Sequence, residues 1–197
     1  MALPSRAKSN VSKQISIGVR REDKHEYERR VPLTPDAVFD LVANGFEVVL
    51  QPSKLRVFDD DAYRAVGGRI DEDLSACAVV FAVKEIPQAL YRRGGAYVFF
   101  SHTTKGQSHN MPMLKQLMAM DCTLYDYEHI VGDDGRRLVF FGRHAGLAGM
   151  VDTLWVLGKR MASLGIETPM SSLKLTHEYA DLDAVRAAVT EVGQAIQ

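Results

Sequence analysis

Two short apolar runs in this chain each end abruptly on groups that can carry a proton or a charge. Residues 78–83, AVVFAV, are followed by Lys84 and Glu85, and residues 97–100, YVFF, by Ser101 and His102. Each run has the length of a buried parallel strand. In an open parallel sheet ligands bind in the crevice outside the carboxyl ends of the strands, so adjacent strands would bring Lys84, Glu85 and His102 into one cleft. A histidine with an unperturbed pKa of about 6.5 gives and takes a proton near neutrality, and a lysine held among cations or in an apolar site can be lowered into that range. Together they suit acid–base work at a carbonyl or an imine. A further run at 123–125 ends in Asp126, Tyr127 and Glu128, and the loop after the first strand offers Glu28, Arg29 and Arg30 at the same edge. Arg30 can hold a carboxylate through a bidentate contact. Glu85 and Glu128 can bind an amine or tune the neighbouring cations. Any one of these residues alone reads as a solvated charge at a loop edge; their shared placement around one histidine reads as a site.

The elements that must place these groups follow from the pattern. Residues 14–19 alternate Ile15, Ile17 and Val19 and read as a first strand. Thr34 followed by Pro35 is an N-cap with a first-turn proline, opening a helix that carries Val38, Leu41 and Val42 and closes at Asn44 and Gly45. A strand at 46–50, a short helix at 59–66 stopped by Gly67 and Gly68, and the strand leading to Lys84 come next. One or two helical turns at 87–91 then precede the strand leading to His102. Asn110 is placed to cap a helix carrying Met113, Leu114, Leu117 and Met118, ahead of the strand at 123–125. This alternation predicts an α/β fold, a mostly parallel Rossmann-like (flavodoxin-like) sheet flanked by helices. The GDDG stretch at 132–135 predicts a small β-hairpin returning through residues 138–141. Long C-terminal helices follow, one with an apolar face through Leu147, Met150, Val151, Leu154, Leu157, Met161 and Leu164, the other through Leu182, Val185, Val189, Val192 and Ile196.

Composition narrows the function. With 197 residues, 46% apolar and 25% charged, the chain has the make-up of a soluble globular protein, and its net charge of −1 comes without any basic cluster interleaved with aromatics. Neither a nucleic acid nor a membrane is suggested as partner. Cys77 and Cys122 are isolated, without metal-ligand spacing, and read as buried thiols in a reducing compartment. The expected location is the cytoplasm, or the mitochondrial matrix in a eukaryote.

Several motifs in order carry a resemblance. GVRREDK from Gly18, ERRVPLTP from Glu28, VKEIP from Val83, FFSHTTKGQ from Phe99, LYDYE from Leu124, FGRHAGLAGM from Phe141 and HEYAD from His177 resemble the start of lysine-ketoglutarate reductase. That is the saccharopine-forming part of bifunctional lysine-degrading enzymes, related more distantly to fungal saccharopine dehydrogenase and to alanine dehydrogenase and transhydrogenase. The resemblance implies condensation of the lysine ε-amine with 2-oxoglutarate and reduction of the imine by a nicotinamide cofactor, NADP or NAD. It implies that Lys84 and His102 are the acid–base pair, that Arg30 holds the keto acid, and that Glu85 and Glu128 border the site. Lys105 lies in the same motif and is implied as a further substrate-side residue. The glycines at 142, 146 and 149 are not spaced as G-x-G-x-x-G and are expected to serve close helix packing.

A complete enzyme of this kind continues into a dinucleotide-binding domain, whose glycine-rich turn sits between a strand and a helix, and this chain offers no such turn. The expected organisation is a disordered tail over 1–13, an alanine dehydrogenase/transhydrogenase N-terminal-like substrate domain over 14–145, and connecting helices over 146–197. The cofactor would be bound by a dinucleotide-binding domain in cis or in trans and not by this chain alone, which is then expected to be inactive in hydride transfer. The small-molecule partners are lysine, 2-oxoglutarate and saccharopine. Two alternatives stand beside this: a stand-alone amino-acid or keto-acid binding module, or alanine dehydrogenase-like domain, without catalysis, and a surface whose exposed helical faces serve homo-oligomeric assembly.

Overall fold

Six strands form one parallel sheet in the computed structural model, which describes residues 14–196. They are β1 (Ser16–Val19), β2 (Glu47–Leu50), β3 (Arg69–Ile70), β4 (Val79–Phe81), β5 (Ala96–Phe99) and β6 (Thr123–Asp126), in the order β3-β2-β1-β4-β5-β6. Every neighbouring pair is parallel. The fold is α/β and Rossmann-like, with the strand order of the dinucleotide-binding sheet, so the winding reverses between β1 and β4. The tail over 1–13 lies outside the described residues.

Both faces of the sheet are covered, as β2 makes plain. Val48 and Leu50 pack with Val19, Val38 and Tyr63 on one side, under α1 (Pro35–Ala43) and α2 (Asp60–Ala65). Val49 points the other way, into a cluster with Val80, Tyr97, Phe99, Met113 and Leu117, under α3 (Met111–Ala119). Alternate side chains of a strand face opposite sides, so a continuous apolar run such as Val48–Val49–Leu50 supplies both layers. The expected cap holds at α1, where Thr34 Oγ1 accepts from Ala37 N–H at 3.3 Å, and Asp59 caps α2 in the same way, its Oδ1 accepting from Ala62 N–H at 2.8 Å.

Three local expectations are corrected, and one strand is added. The strand before Lys84 ends at Phe81, because the Val83 and Lys84 N–H groups turn to the Glu22 carboxylate, at 2.7 and 3.1 Å. Asn110 stands at the N-terminus of α3 in helical backbone geometry, and its side chain does not cap the helix. The GDDG stretch makes a tight turn closed by a single antiparallel bridge, Val131 to Arg137, and residues 138–141 form no strand. β3 carries only two residues and no periodic signal of its own.

Contacts divide the chain into two units, Met1–Val139 and Phe140–Gln197. The second contains α4 (Gly142–Ser163), two 3-10 turns at Pro169–Ser172 and Thr176–Glu178, and α5 (Leu182–Ile196). Asp152 on α4 accepts from the backbone N–H and hydroxyl of Thr176, at 2.9 and 2.6 Å, and so pins the second turn. Gly158 lets the first approach: a Cβ there would stand 2.7 Å from the Met170 carbonyl oxygen. The expected close packing at Gly146 and Gly149 is not made among the described residues, since a Cβ at either would meet nothing within 4 Å. The apolar face of α4 is only partly covered; Val151 is buried while Met150, Leu157 and Leu164 are exposed. No helix among the described residues is long and apolar enough to cross a membrane.

Candidate functional site

The crevice at the β1–β4 reversal is built from the loop that leaves β1. Residues 20–34 run across the carboxyl ends of the strands, and Glu22 anchors them by accepting both N–H groups that β4 releases. Burial pushes the Glu22 carboxyl up, against the lowering effect of those two N–H groups. Arg20, also buried, donates to the Arg21 carbonyl at 2.8 Å and pairs with Asp23 at 2.5 Å, which stiffens the start of the loop. The loop then delivers Lys24, Glu28 and Arg30 to the crevice while β4 delivers Lys84 and Glu85.

Glu85 and His102 are brought together, as the ends of adjacent strands β4 and β5 require. His102 Nδ1 lies 2.9 Å from Glu85 Oε1, and Lys24 Nζ pairs with Glu85 Oε2 at 2.6 Å. Burial alone would raise the Glu85 carboxyl, but hydrogen bonds from Lys24 and His102 outweigh it and push it down to about 2. An ionised carboxylate only accepts, so the hydrogen in the His102 contact sits on Nδ1 and leaves Nε2 as the ring nitrogen for chemistry. The ring stacks at 6.2 Å on Phe100, which itself packs at 4.9 Å on Tyr127. Burial pushes the Tyr127 phenol well above its usual range.

His102 is held in an uncommon backbone state, with φ at +51°. For a non-glycine residue this costs on the order of 1–3 kcal/mol and persists only where surrounding contacts determine it. Those contacts are visible. Ser101, fully buried, gives its N–H at 3.4 Å and its hydroxyl to Asp126 Oδ2, and Asn110 Nδ2 donates to the Ser101 carbonyl at 2.9 Å.

Arg30 is oriented by Glu28, its Nε and Nη2 meeting the two carboxylate oxygens at 2.7 and 2.6 Å. Burial would raise Glu28, but the bonds and charge of Arg30, with the charge of Lys84, hold its carboxyl below the usual range. Glu28 is buried, whereas the Arg30 side chain is 46% exposed at the crevice. Lys84 is half-buried and has no ion-pair partner within 4 Å among the described residues.

Two of the expected residues are not joined to this cluster. Glu128 follows β6 and pairs with Arg137 at 3.0 Å. Lys105 is exposed in the loop after β5 and makes no hydrogen bond or ion pair among the described residues. A cavity of about 420 Å³ borders the Glu85 side of the crevice, lined by Lys24, Glu85, Gln88, His109, Asn110 and Met113. Glu22, Lys24 and Asn110 carry no spacing that marks them for the site, because their contacts join segments 25 to 62 residues apart. The described residues contain no cluster of three or more histidine, cysteine, aspartate or glutamate side chains able to hold a metal ion.

The family model described as alanine dehydrogenase/PNT, N-terminal domain, matches residues 18–148. The chain is 42% identical over 186 residues to alpha-aminoadipic semialdehyde synthase of Arabidopsis thaliana, covering 91% of this chain and 18% of that protein. It is 33% identical over 159 residues to saccharopine dehydrogenase [NAD(+), L-lysine-forming] of Yarrowia lipolytica, covering 78% of this chain and 40% of the relative. The chain thus spans well under half the length of either. Among solved structures, an L-alanine dehydrogenase superposes with a TM-score of 0.57 at 21% identity, over 75% of this chain and 41% of the other, a likeness of fold.

Proposed function

Because the chain belongs to the alanine dehydrogenase/PNT N-terminal domain family, we propose that it is the substrate-binding and acid–base half of a lysine-ketoglutarate reductase. The reaction joins the ε-amine of lysine to the C2 carbonyl of 2-oxoglutarate, expels water, and reduces the resulting imine to saccharopine. One observation supports the reading: at the ends of the adjacent strands β4 and β5, His102 Nδ1 lies 2.9 Å from the Glu85 carboxylate, directly after Lys84 in the chain.

Each group has a task that its surroundings support. Arg30, held flat by Glu28, presents a planar cation to a keto-acid carboxylate. Nε2 of His102 passes a proton to and from the carbonyl or carbinolamine oxygen as water is lost. Lys84, which pairs with no carboxylate within 4 Å among the described residues, would take the proton from the incoming ammonium when deprotonated. Glu85 sets the tautomer and steadies the imidazolium. Lys105 and Glu128 form the outer border, where Glu128, already on Arg137, tunes charge more than it binds an amine.

A nicotinamide dinucleotide supplies the hydride in this chemistry, and the residues here do not fit it. The connection from β1 to α1, where a Rossmann sheet holds pyrophosphate, contains no glycine over residues 20–34, and Pro35 removes an N–H from the first turn of α1. The dinucleotide therefore belongs to a further domain, in cis or in trans. Calorimetric titration with 2-oxoglutarate tests the substrate half. Binding that Arg30→Ala weakens tenfold or more is expected; binding indifferent to Arg30 would remove the keto-acid assignment. Lysine- and NADPH-dependent saccharopine formation after adding a dinucleotide-binding domain tests the rest, with His102→Asn expected to abolish it.

A further inference from the structure

Resting on the reading of His102 as the acid–base imidazole, we infer that Asn110 is the positioning residue that fixes its orientation. Asn110 closes the 3-10 turn Ser108–Asn110 and is buried. A residue at the start of a helix ordinarily turns its side chain to the helix's own N–H groups. Asn110 turns away from α3 and toward the crevice. Its Nδ2 lies 2.9 Å from the Ser101 carbonyl oxygen, 3.3 Å from Glu85 Oε1 and 3.4 Å from the His102 carbonyl oxygen. The amide has two hydrogens, so Ser101 takes one and the other is shared between Glu85 and His102.

One side chain therefore grips both things that aim the ring. It holds the two peptide carbonyls flanking the left-handed turn at His102, and it holds the carboxylate oxygen on which His102 Nδ1 rests. Asp126 clamps the same turn from the β6 side, but only through Ser101 and without touching Glu85. Asn110 is thus the group through which backbone and ring partner are registered to each other. Without it Glu85 keeps Lys24 but can turn on it, the Ser101 carbonyl loses its donor, and the ring loses the geometry that selects Nδ1–H.

Long-range proton–nitrogen NMR of the ¹⁵N-histidine-labelled full chain reads this directly, by reporting which ring nitrogen of neutral His102 bears hydrogen. The wild type is expected to show the single Nδ1–H tautomer and backbone shifts at Ser101 and His102 typical of a left-handed turn. Asn110→Ala and the near-isosteric Asn110→Asp, which lacks the donor, are expected to lose that single tautomer to a mixture with Nε2–H and to shift residues 101 and 102. Asn44→Ala, which removes the side-chain hydrogen bond to the Asp40 carbonyl at the C-terminus of α1, at the edge of the sheet where β2 begins, controls for loss of stability alone and should leave His102 unchanged. Should Asn110→Ala not fold, Asn110→Asp alone is read. A wild-type tautomer and unshifted turn in the folded Asn110 variants, or an equal change in the Asn44→Ala control, overturns the inference. No substrate or cofactor enters this measurement, so failure of the saccharopine-forming reading would leave its result standing, and the reverse also holds.

Discussion

At the residue scale, Glu85 is a carboxylate kept ionised by its neighbours in spite of burial. Its folded-state pKa lies near 2, below the ordinary value of 4.5, with desolvation opposing and the Lys24 and His102 bonds prevailing. A depressed carboxyl contributes stability that is present above its unfolded pKa and is lost as pH falls through its folded pKa. The window here runs from about pH 4.5 down to about 2, and the contribution is on the order of 3 kcal/mol at roughly 1.4 kcal/mol per tenfold in affinity for the proton. Glu22 acts with the opposite sign, since burial raises it. Glu85→Gln isolates the term. Urea denaturation should show the variant less stable than the wild type by a few kcal/mol at pH 6, with the gap closing toward pH 2. A gap that is constant with pH would mean that Glu85 acts through shape and not through charge. Lys84, Glu85 and His102 were legible from the ends of apolar runs, because strand ends are local, and Arg30 from its motif in the loop after β1. Lys24, Glu22 and Asn110 were not, because their partners are brought near only by the parallel crossovers.

At the element scale, β4 stops where a side chain outcompetes the sheet. Glu22 takes the N–H groups of Val83 and Lys84, so Lys84 leaves the sheet on a fixed path. Glu22→Gln keeps one accepting oxygen and sets an amide N–H₂ against the other N–H, a loss of about 1–3 kcal/mol for a buried unsatisfied group. Hydrogen exchange at Val83 and Lys84 should quicken while the Val79–Phe81 ladder keeps its protection; uniform loosening across β4 would contradict this. Helix α4 offers a matched pair. Gly146→Ala adds a methyl group that meets nothing and should stabilise by up to about 1 kcal/mol through helix propensity. Gly158→Ala drives its methyl group into the Met170 carbonyl at 2.7 Å and should destabilise the second unit despite the same gain. Thermal unfolding that moved both variants in one direction would refute this account of the turn at Pro169–Ser172. Sequence pattern located α1 by its cap, and α3 and α4 by periodic apolar residues, because both are local signals. β3 and the missing return strand after the GDDG turn escaped it, since two residues carry no period and a turn does not compel a ladder behind it.

At the scale of the whole molecule, every residue assigned to substrate or proton transfer lies in the first unit, before Val139. The second unit, α4 to α5 with its exposed Met150, Val156, Leu157 and Leu164, contributes none. The chain spans 18% of the length of the plant relative, and its expected place in a larger enzyme came from resemblance alone. The division has a thermodynamic consequence. A ligand that binds one folded unit stabilises that unit by RT ln(1 + [L]/Kd), about 2.7 kcal/mol at a hundredfold excess over Kd, or roughly 10 °C for a domain of this size. Calorimetry with saturating 2-oxoglutarate should therefore raise the melting of the first unit and leave that of the second in place, and Arg30→Ala should cancel the rise. A chain cut after Val139 should retain the same keto-acid affinity within about threefold. If the cut chain folds with its near-ultraviolet dichroism intact yet does not bind, the second unit supplies part of the site, and the substrate half would have to be redrawn to include α4 and α5.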